Sequence, residues 1–207
     1  MFKNIIFDWS GVIREVYEAH IWVVERMIEK FGGKPMTPKE IRENWDEPYM
    51  KFWNKYFPDM TLEQEQKAYV EGILDKNCPL AKPYPEIVKL IKKLRSKNFS
   101  MAVLSGDMPE TLLPEMKRFG LENIFDDVIA KVHGKLEPLE KLMEKNNFKK
   151  EETVFIGDSN HEIEAGKEAG IKTIAVTWGF HSEEKLKGLN PDYLVHNVKE
   201  LENILLK

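Results

Sequence analysis

Cysteine is nearly missing from this chain of 207 residues: Cys78 stands alone. A single thiol excludes a disulfide framework and any cysteine-rich zinc site within one chain. Long apolar runs are missing too, and none approaches the ~20 residues that a membrane-spanning helix needs. Neither sign of charge dominates. The chain has 31 Lys and Arg against 35 Asp and Glu, a net charge of −4. No basic face therefore marks a nucleic-acid binder. The N-terminus runs straight into a strand, without the apolar stretch and cleavage site of a signal peptide. Internal repeats and low-complexity segments are absent. These absences point to a cytoplasmic protein with neither membrane nor nucleic acid as a partner. The 42% of apolar residues suffices for a core, and the length fits one large domain or one domain with an insertion.

The first twelve residues organise the rest. Ile5-Ile6-Phe7 has no helical period and predicts a fully buried strand. It ends in Asp8, and Gly11 marks a tight turn. A carboxylate at the end of such a strand sits where open parallel sheets bind ligands. The plain alternative is a loop or helix cap.

The pattern then changes. Apolar residues recur at helical spacing from Val16 to Phe31, and Gly32-Gly33 stops that helix. Thr37-Pro38 with Glu40 predicts a capped second helix. Residues 46–57 are rich in aromatics, and Thr61 opens another helix to about Leu74. Residues 15–81 thus predict an all-helical insertion into a core of 1–14 and 82–207, with Pro79, Pro83 and Pro85 marking the return. From Glu86 onward helices and strands alternate. Strands are expected at Ser100–Leu104, Asp127–Ala130, Thr153–Ile156, Thr173–Val176 and, as an edge, Tyr193–Val195. This alternation predicts an α/β fold with a mainly parallel, Rossmann-like sheet covered by helices on both faces.

Three strand ends carry polar groups, Asp8, Ser105 and Asp158, and Lys135 lies in a loop before a helix. Carboxyl ends of parallel strands share one edge, so these groups can converge. A carboxylate can attack phosphorus, and magnesium accepts carboxylate oxygens. A hydroxyl and an ammonium can orient phosphoryl oxygens. Asp8 to Val12, Met101 to Gly106, Lys135, and Gly157 to Glu162 resemble, in order and spacing, the four motifs of the haloacid dehalogenase superfamily of phosphohydrolases. The resemblance covers the whole chain, helical cap included. It implies a magnesium-dependent phosphatase of a small phosphorylated metabolite. Asp8 would be the nucleophile that forms an aspartyl-phosphate. Asp8, the main-chain carbonyl of Ser10 and Asp158 would hold Mg2+. Ser105, with the amide of Gly106, would bind phosphoryl oxygens, and Lys135 would bridge nucleophile and phosphate. Lys82 in Lys82-Pro83-Tyr84-Pro85 is a decoy for the family lysine, because it precedes the Ser105 strand. Lys131 competes more weakly.

Two positions depart from the pattern. Family phosphatases read D-x-D where this chain has Asp8-Trp9-Ser10. The missing aspartate is the general acid, whose work is worth about 10²–10⁴-fold; slow turnover is the expectation. Glu162 replaces the usual Asp, either to reach magnesium-bound water or to bond Lys135. Asp107 is expected to cap the following helix, with the alternative that it or Glu15 replaces the missing acid. In the cap, Arg42 is a candidate clamp for a carboxylate or second phosphate. His20 is a candidate donor or acid/base, although both also suit ordinary helix surfaces. The competing functions are a phosphate-binding or regulatory homologue without turnover, and a dehalogenase- or phosphonatase-type hydrolase.

Overall fold

The computed structural model describes residues 1–207 except Val16 and Glu47. The chain begins with β1 (Asn4–Phe7). Four helices follow: α1 (Tyr17–Lys30), α2 (Pro38–Asn44), α3 (Met50–Tyr56) and α4 (Leu62–Ile73). Then come α5 (Pro85–Ser96), β2 (Ser100–Leu104), α6 (Pro109–Arg118), β3 (Asp127–Ile129), α7 (Leu136–Lys145), β4 (Thr153–Gly157) and α8 (Asn160–Ala169). The chain closes with β5 (Lys172–Val176), α9 (Glu183–Gly188), β6 (Tyr193–Val195) and α10 (Val198–Leu205). The first residue of the helix expected from Val16 lies outside the described residues.

The sheet has six strands in the order β3-β2-β1-β4-β5-β6, and every neighbouring pair is parallel. The β1 run is fully buried, as its unbroken apolar sequence requires. Ile5 and Phe7 pack into the apolar cluster on one face, with Ile87, Leu90 and Leu112. Ile6 points to the other face, with Leu139, Leu142 and Phe155. The period-2 alternation of a strand thus feeds two helical layers at once. Because β1 lies between β2 and β4, the residues after these three strands are neighbours at one edge.

Helices α1 to α4 bury a separate apolar cluster. Val24, Met27 and Ile28 of α1 meet Ile41 of α2 and Phe52 and Trp53 of α3 there. Both threonine starts are capping boxes: Thr37 exchanges hydrogen bonds with Glu40, and Thr61 with Gln64. The two segments that join these helices to the sheet run side by side. The Glu15 amide donates to the Lys82 carbonyl and the Tyr84 amide to the Ile13 carbonyl, at 2.8 and 2.9 Å. Among the described residues, no helix is long and apolar enough to cross a membrane.

Candidate active site

The turn after β1 is held from several sides. The Asp8 amide continues the ladder onto the Ile156 carbonyl at 2.9 Å. Trp9 is fully buried, stacks on Phe119, and its indole N–H donates to Glu115 at 3.0 Å. The amides of Ile13 and Arg14 both return to the Trp9 carbonyl. Gly11 has φ +76°, and a Cβ there would meet an Asp158 oxygen at 2.0 Å. A side chain at position 11 would therefore be strained and would displace a carboxylate.

Asp158 follows β4, where one of its oxygens accepts from the Phe180 amide at 2.6 Å. Ser159 caps α8, and Glu162 closes a capping box with it: Glu162 Oε2 accepts from the Ser159 amide at 3.0 Å and from its hydroxyl at 2.8 Å. The other Glu162 oxygen faces Lys135, which sits at the start of α7. Lys135 Nζ donates to Asp8 Oδ1 at 2.8 Å and forms a short ion pair with Glu162. Of the two roles open to Glu162 in sequence, the contact with Lys135 is thus present. The Lys135 amide donates to His161 Nε2 at 3.2 Å.

The electrostatics follow from burial. Burial opposes the charge on Lys135, but Asp8 and Glu162 outweigh it and raise the ammonium above its usual range. Burial alone would raise Glu162; Lys135, His161 and Ser159 bring it down to about 2. For Asp8 burial wins. It pushes the carboxyl well up, Lys135 pulls it back, and the nearby Glu162 and Asp158 carboxylates push it up again. Asp8, Asp158 and Glu162 each place an oxygen within 4.8 Å of the others. Three buried carboxyl groups thus gather at one point beside one ammonium. Their oxygens are the donors that a hard divalent cation takes.

Asp107 is not the helix cap that its place in the sequence suggests. Met108 occupies the N-cap position of α6, without a side-chain hydrogen bond. Asp107 instead turns to the site. Its Oδ2 accepts from Ser10 Oγ at 2.5 Å and from Ser105 Oγ at 2.9 Å. Its Oδ1 pairs with Arg14 Nη1 at 3.0 Å. Arg14, only 1% exposed, also donates to Ser10 Oγ at 2.9 Å and pairs with Glu115 at 3.3 Å. Burial opposes its charge, and Tyr69, Asp107 and Glu115 outweigh burial. The loop after β2 thus places a carboxylate beside Ser10.

One cavity between the sheet edge and helices α1 to α4 is lined by Asp8, Ser10, Ser105, Gly106, Lys135, Asp158 and Glu162, and also by His20. Arg42 does not line it. Its Nε donates to the Phe180 carbonyl at 2.7 Å, with Nη2 3.5 Å from the Gly179 carbonyl. That places Arg42 behind the loop after β5 and away from the position of a substrate clamp. Glu65, Gln66 and Tyr69 of α4 line the roof, and sequence reasoning missed them. On their own they look like ordinary polar positions in the first turns of a surface helix. His161 and His181 were missed for the same reason, that only the fold buries them.

The model of the family described as haloacid dehalogenase-like hydrolase matches residues 5–176. The chain is 34% identical to pyrophosphatase PpaX of Halalkalibacterium halodurans, over 98% of this chain and 96% of that protein. It is 25% identical to phosphoglycolate phosphatase of Aquifex aeolicus, over 98% and 96%. The crystal structure of a "predicted phosphatase" from Clostridium acetobutylicum superposes with a TM-score of 0.86 at 20% identity, covering 100% of this chain and 99% of that one. At that identity the likeness speaks for the fold alone.

Proposed function

The chain belongs to the haloacid dehalogenase-like hydrolases, and from that premise we propose that it is a magnesium-dependent phosphatase of a small phosphorylated metabolite, with residues 15–81 as the cap over its site. One observation carries the proposal: Lys135 Nζ lies 2.8 Å from Asp8 Oδ1, with the Asp158 and Glu162 carboxylates beside them. The buried ammonium orients one Asp8 oxygen and leaves the other for attack. Asp8 bonds to phosphorus as the bond from phosphorus to the leaving oxygen breaks, and an aspartyl-phosphate results. Ser105 and the Gly106 amide hold the phosphoryl oxygens, and Lys135 neutralises charge as it develops. Asp8, the Ser10 carbonyl and Asp158 would hold Mg2+, which supplies charge neutralisation to the phosphoryl group.

Asp107 takes the place of the absent acid, through Ser10. In hydrolysis a water oxygen bonds to phosphorus and the bond to Asp8 breaks. The water proton passes to Ser10 Oγ while the serine proton passes to Asp107. The reverse relay returns a proton to the leaving oxygen in the next turnover. The contact of 2.5 Å between Ser10 and Asp107 supports this route over a protein that binds phosphate without turnover.

The test is hydrolysis of a generic aryl phosphate, with magnesium and with chelator, by wild type and Asp8→Asn. Release is expected from wild type with magnesium only. It should fall to the uncatalysed background in Asp8→Asn. Release that survives either change sinks the proposal.

A further inference from the structure

Phe180 follows β5, in the loop before α9, yet its ring lies in the apolar cluster of helices α1 to α4. It is 6% exposed and meets His20 and Trp45 edge-on, with ring centroids 5.2 and 5.7 Å away. Its carbonyl accepts from Arg42 Nε, in the last turn of α2, at 2.7 Å. Its amide serves the sheet edge and donates to Asp158 Oδ2 at 2.6 Å. The main chain of one residue thus joins the helical layer to a carboxylate of the site. Lys185 of α9 adds a second tie, from its Nζ to the Trp45 carbonyl at 2.9 Å.

The link is stiff. The Gly179 carbonyl and the Phe180 amide are opposite ends of one planar peptide unit. Arg42 Nη2 lies 3.5 Å from the carbonyl end, and Asp158 accepts from the amide end. A rotation of that unit therefore moves both contacts. A Cβ at Gly179 would stand 2.2 Å from the Asp158 Cβ and 2.3 Å from its Oδ2, so this main chain packs directly on the carboxylate. The Trp178 carbonyl accepts from the Tyr84 hydroxyl at 2.9 Å, on the segment that returns from the helical layer. Interiors packed this closely transmit small displacements. Burial of an apolar ring explains Phe180, but it does not explain a guanidinium set against the two carbonyls beside the Asp158 contact.

Resting on the magnesium-dependent reading, we propose that Arg42 and Phe180 are positioning residues for the metal site. Through the loop after β5 they fix the orientation of Asp158, so that docking of helices α1 to α4 and binding of Mg2+ favour each other. Magnesium demands near-octahedral oxygen geometry, and the groups that hold a ligand in place change metal affinity by about 10–100-fold when removed. Linkage makes the effect mutual: if docking strengthens metal binding, metal binding strengthens docking by the same factor.

The test is calorimetric titration of the full chain with Mg2+ alone, joined to amide hydrogen exchange. Arg42→Met keeps the apolar stem and removes the donors, and it should raise the Kd for Mg2+ by about tenfold or more. Arg42→Lys, which keeps one donor, should fall between it and wild type. Lys39→Met, at an exposed position of the same helix, should bind as wild type does. In wild type the amides of α2 should exchange more slowly with Mg2+ than with chelator, and Arg42→Met should lose that difference. Folded Arg42→Met that binds Mg2+ as tightly as wild type overturns the inference and leaves the phosphatase proposal intact. So do wild-type α2 amides that exchange alike with and without the metal. Wild type that binds no Mg2+ overturns the inference and the magnesium reading together.

Discussion

Ser10 and Asp107 stand 97 positions apart in sequence and share a contact of 2.5 Å. That contact sets the sign of an obvious repair. Ser10→Asp restores the usual first motif, yet it would press a second carboxylate against Asp107 in a buried site with Arg14 as the shared cation. Like charges at that range disfavour each other, and one of the two carboxyls is forced toward its protonated form. Ser10→Asp alone is expected to lower both turnover and Tm. Ser10→Asp combined with Asp107→Ser should recover both, a coupling that steady-state hydrolysis and thermal melting measure as a double-mutant cycle. Asp107→Asn should slow hydrolysis by about 10²–10⁴-fold, while acid quench still traps phosphate on Asp8. A large gain from Ser10→Asp alone would show that Asp107 does not do the work of the missing acid. At this scale Asp8, Lys135 and Asp158 were visible in sequence because each ends a strand or opens a helix. Asp107 was not, since an acid just before Pro109 has the local signature of a cap. Only the approach of Arg14 and Ser10 tells the two apart.

Helix α8 shows how one element serves stability and site together. Ser159 caps it, and the Glu162 side chain that closes the box also pairs with Lys135. Ser159→Ala removes the hydroxyl that donates to Glu162 Oε2 at 2.8 Å. The cap should cost about 1 kcal/mol, or about 2–4 °C in Tm for a chain of this size. A loosened Glu162 should also raise the magnesium concentration needed for half-maximal rate. A Tm drop with no change in magnesium dependence would separate the cap from the site. The capped helices were legible because threonine, proline and an acid or amide three residues on leave a local mark; Thr37 and Thr61 each start a helix. The strands were legible to within a residue, because their apolar runs are short and bounded by glycine or acid. Helix α9 left no such mark. It has six residues and buries only Leu186, too little for a 3.6-residue period to register.

At the scale of the whole molecule, two apolar bodies enclose a polar seam. Strand order was not written in any local pattern: alternation predicts a parallel sheet, but β1 between β2 and β4 is a matter of crossover packing. The seam was equally hidden, because its histidines look solvent-facing until the helical layer closes over the sheet edge. His181 is 1% exposed, and burial together with Lys185 lowers it to about 4. Unfolded, it would titrate near 6.5. Below that pH the unfolded chain binds a proton that the folded chain refuses. Its contribution is therefore complete above about pH 6.5 and is lost as pH falls toward 4, at about 1.4 kcal/mol per pH unit. His161, also lowered to about 4, adds in the same sense. Wild-type Tm should fall steeply between neutral pH and pH 5, above the range in which ordinary exposed carboxylates protonate. His181→Gln removes one titrating group, so its Tm should fall less steeply over that window, whatever the substitution costs at neutral pH. Parallel curves for the two proteins would mean that His181 does not titrate against folding.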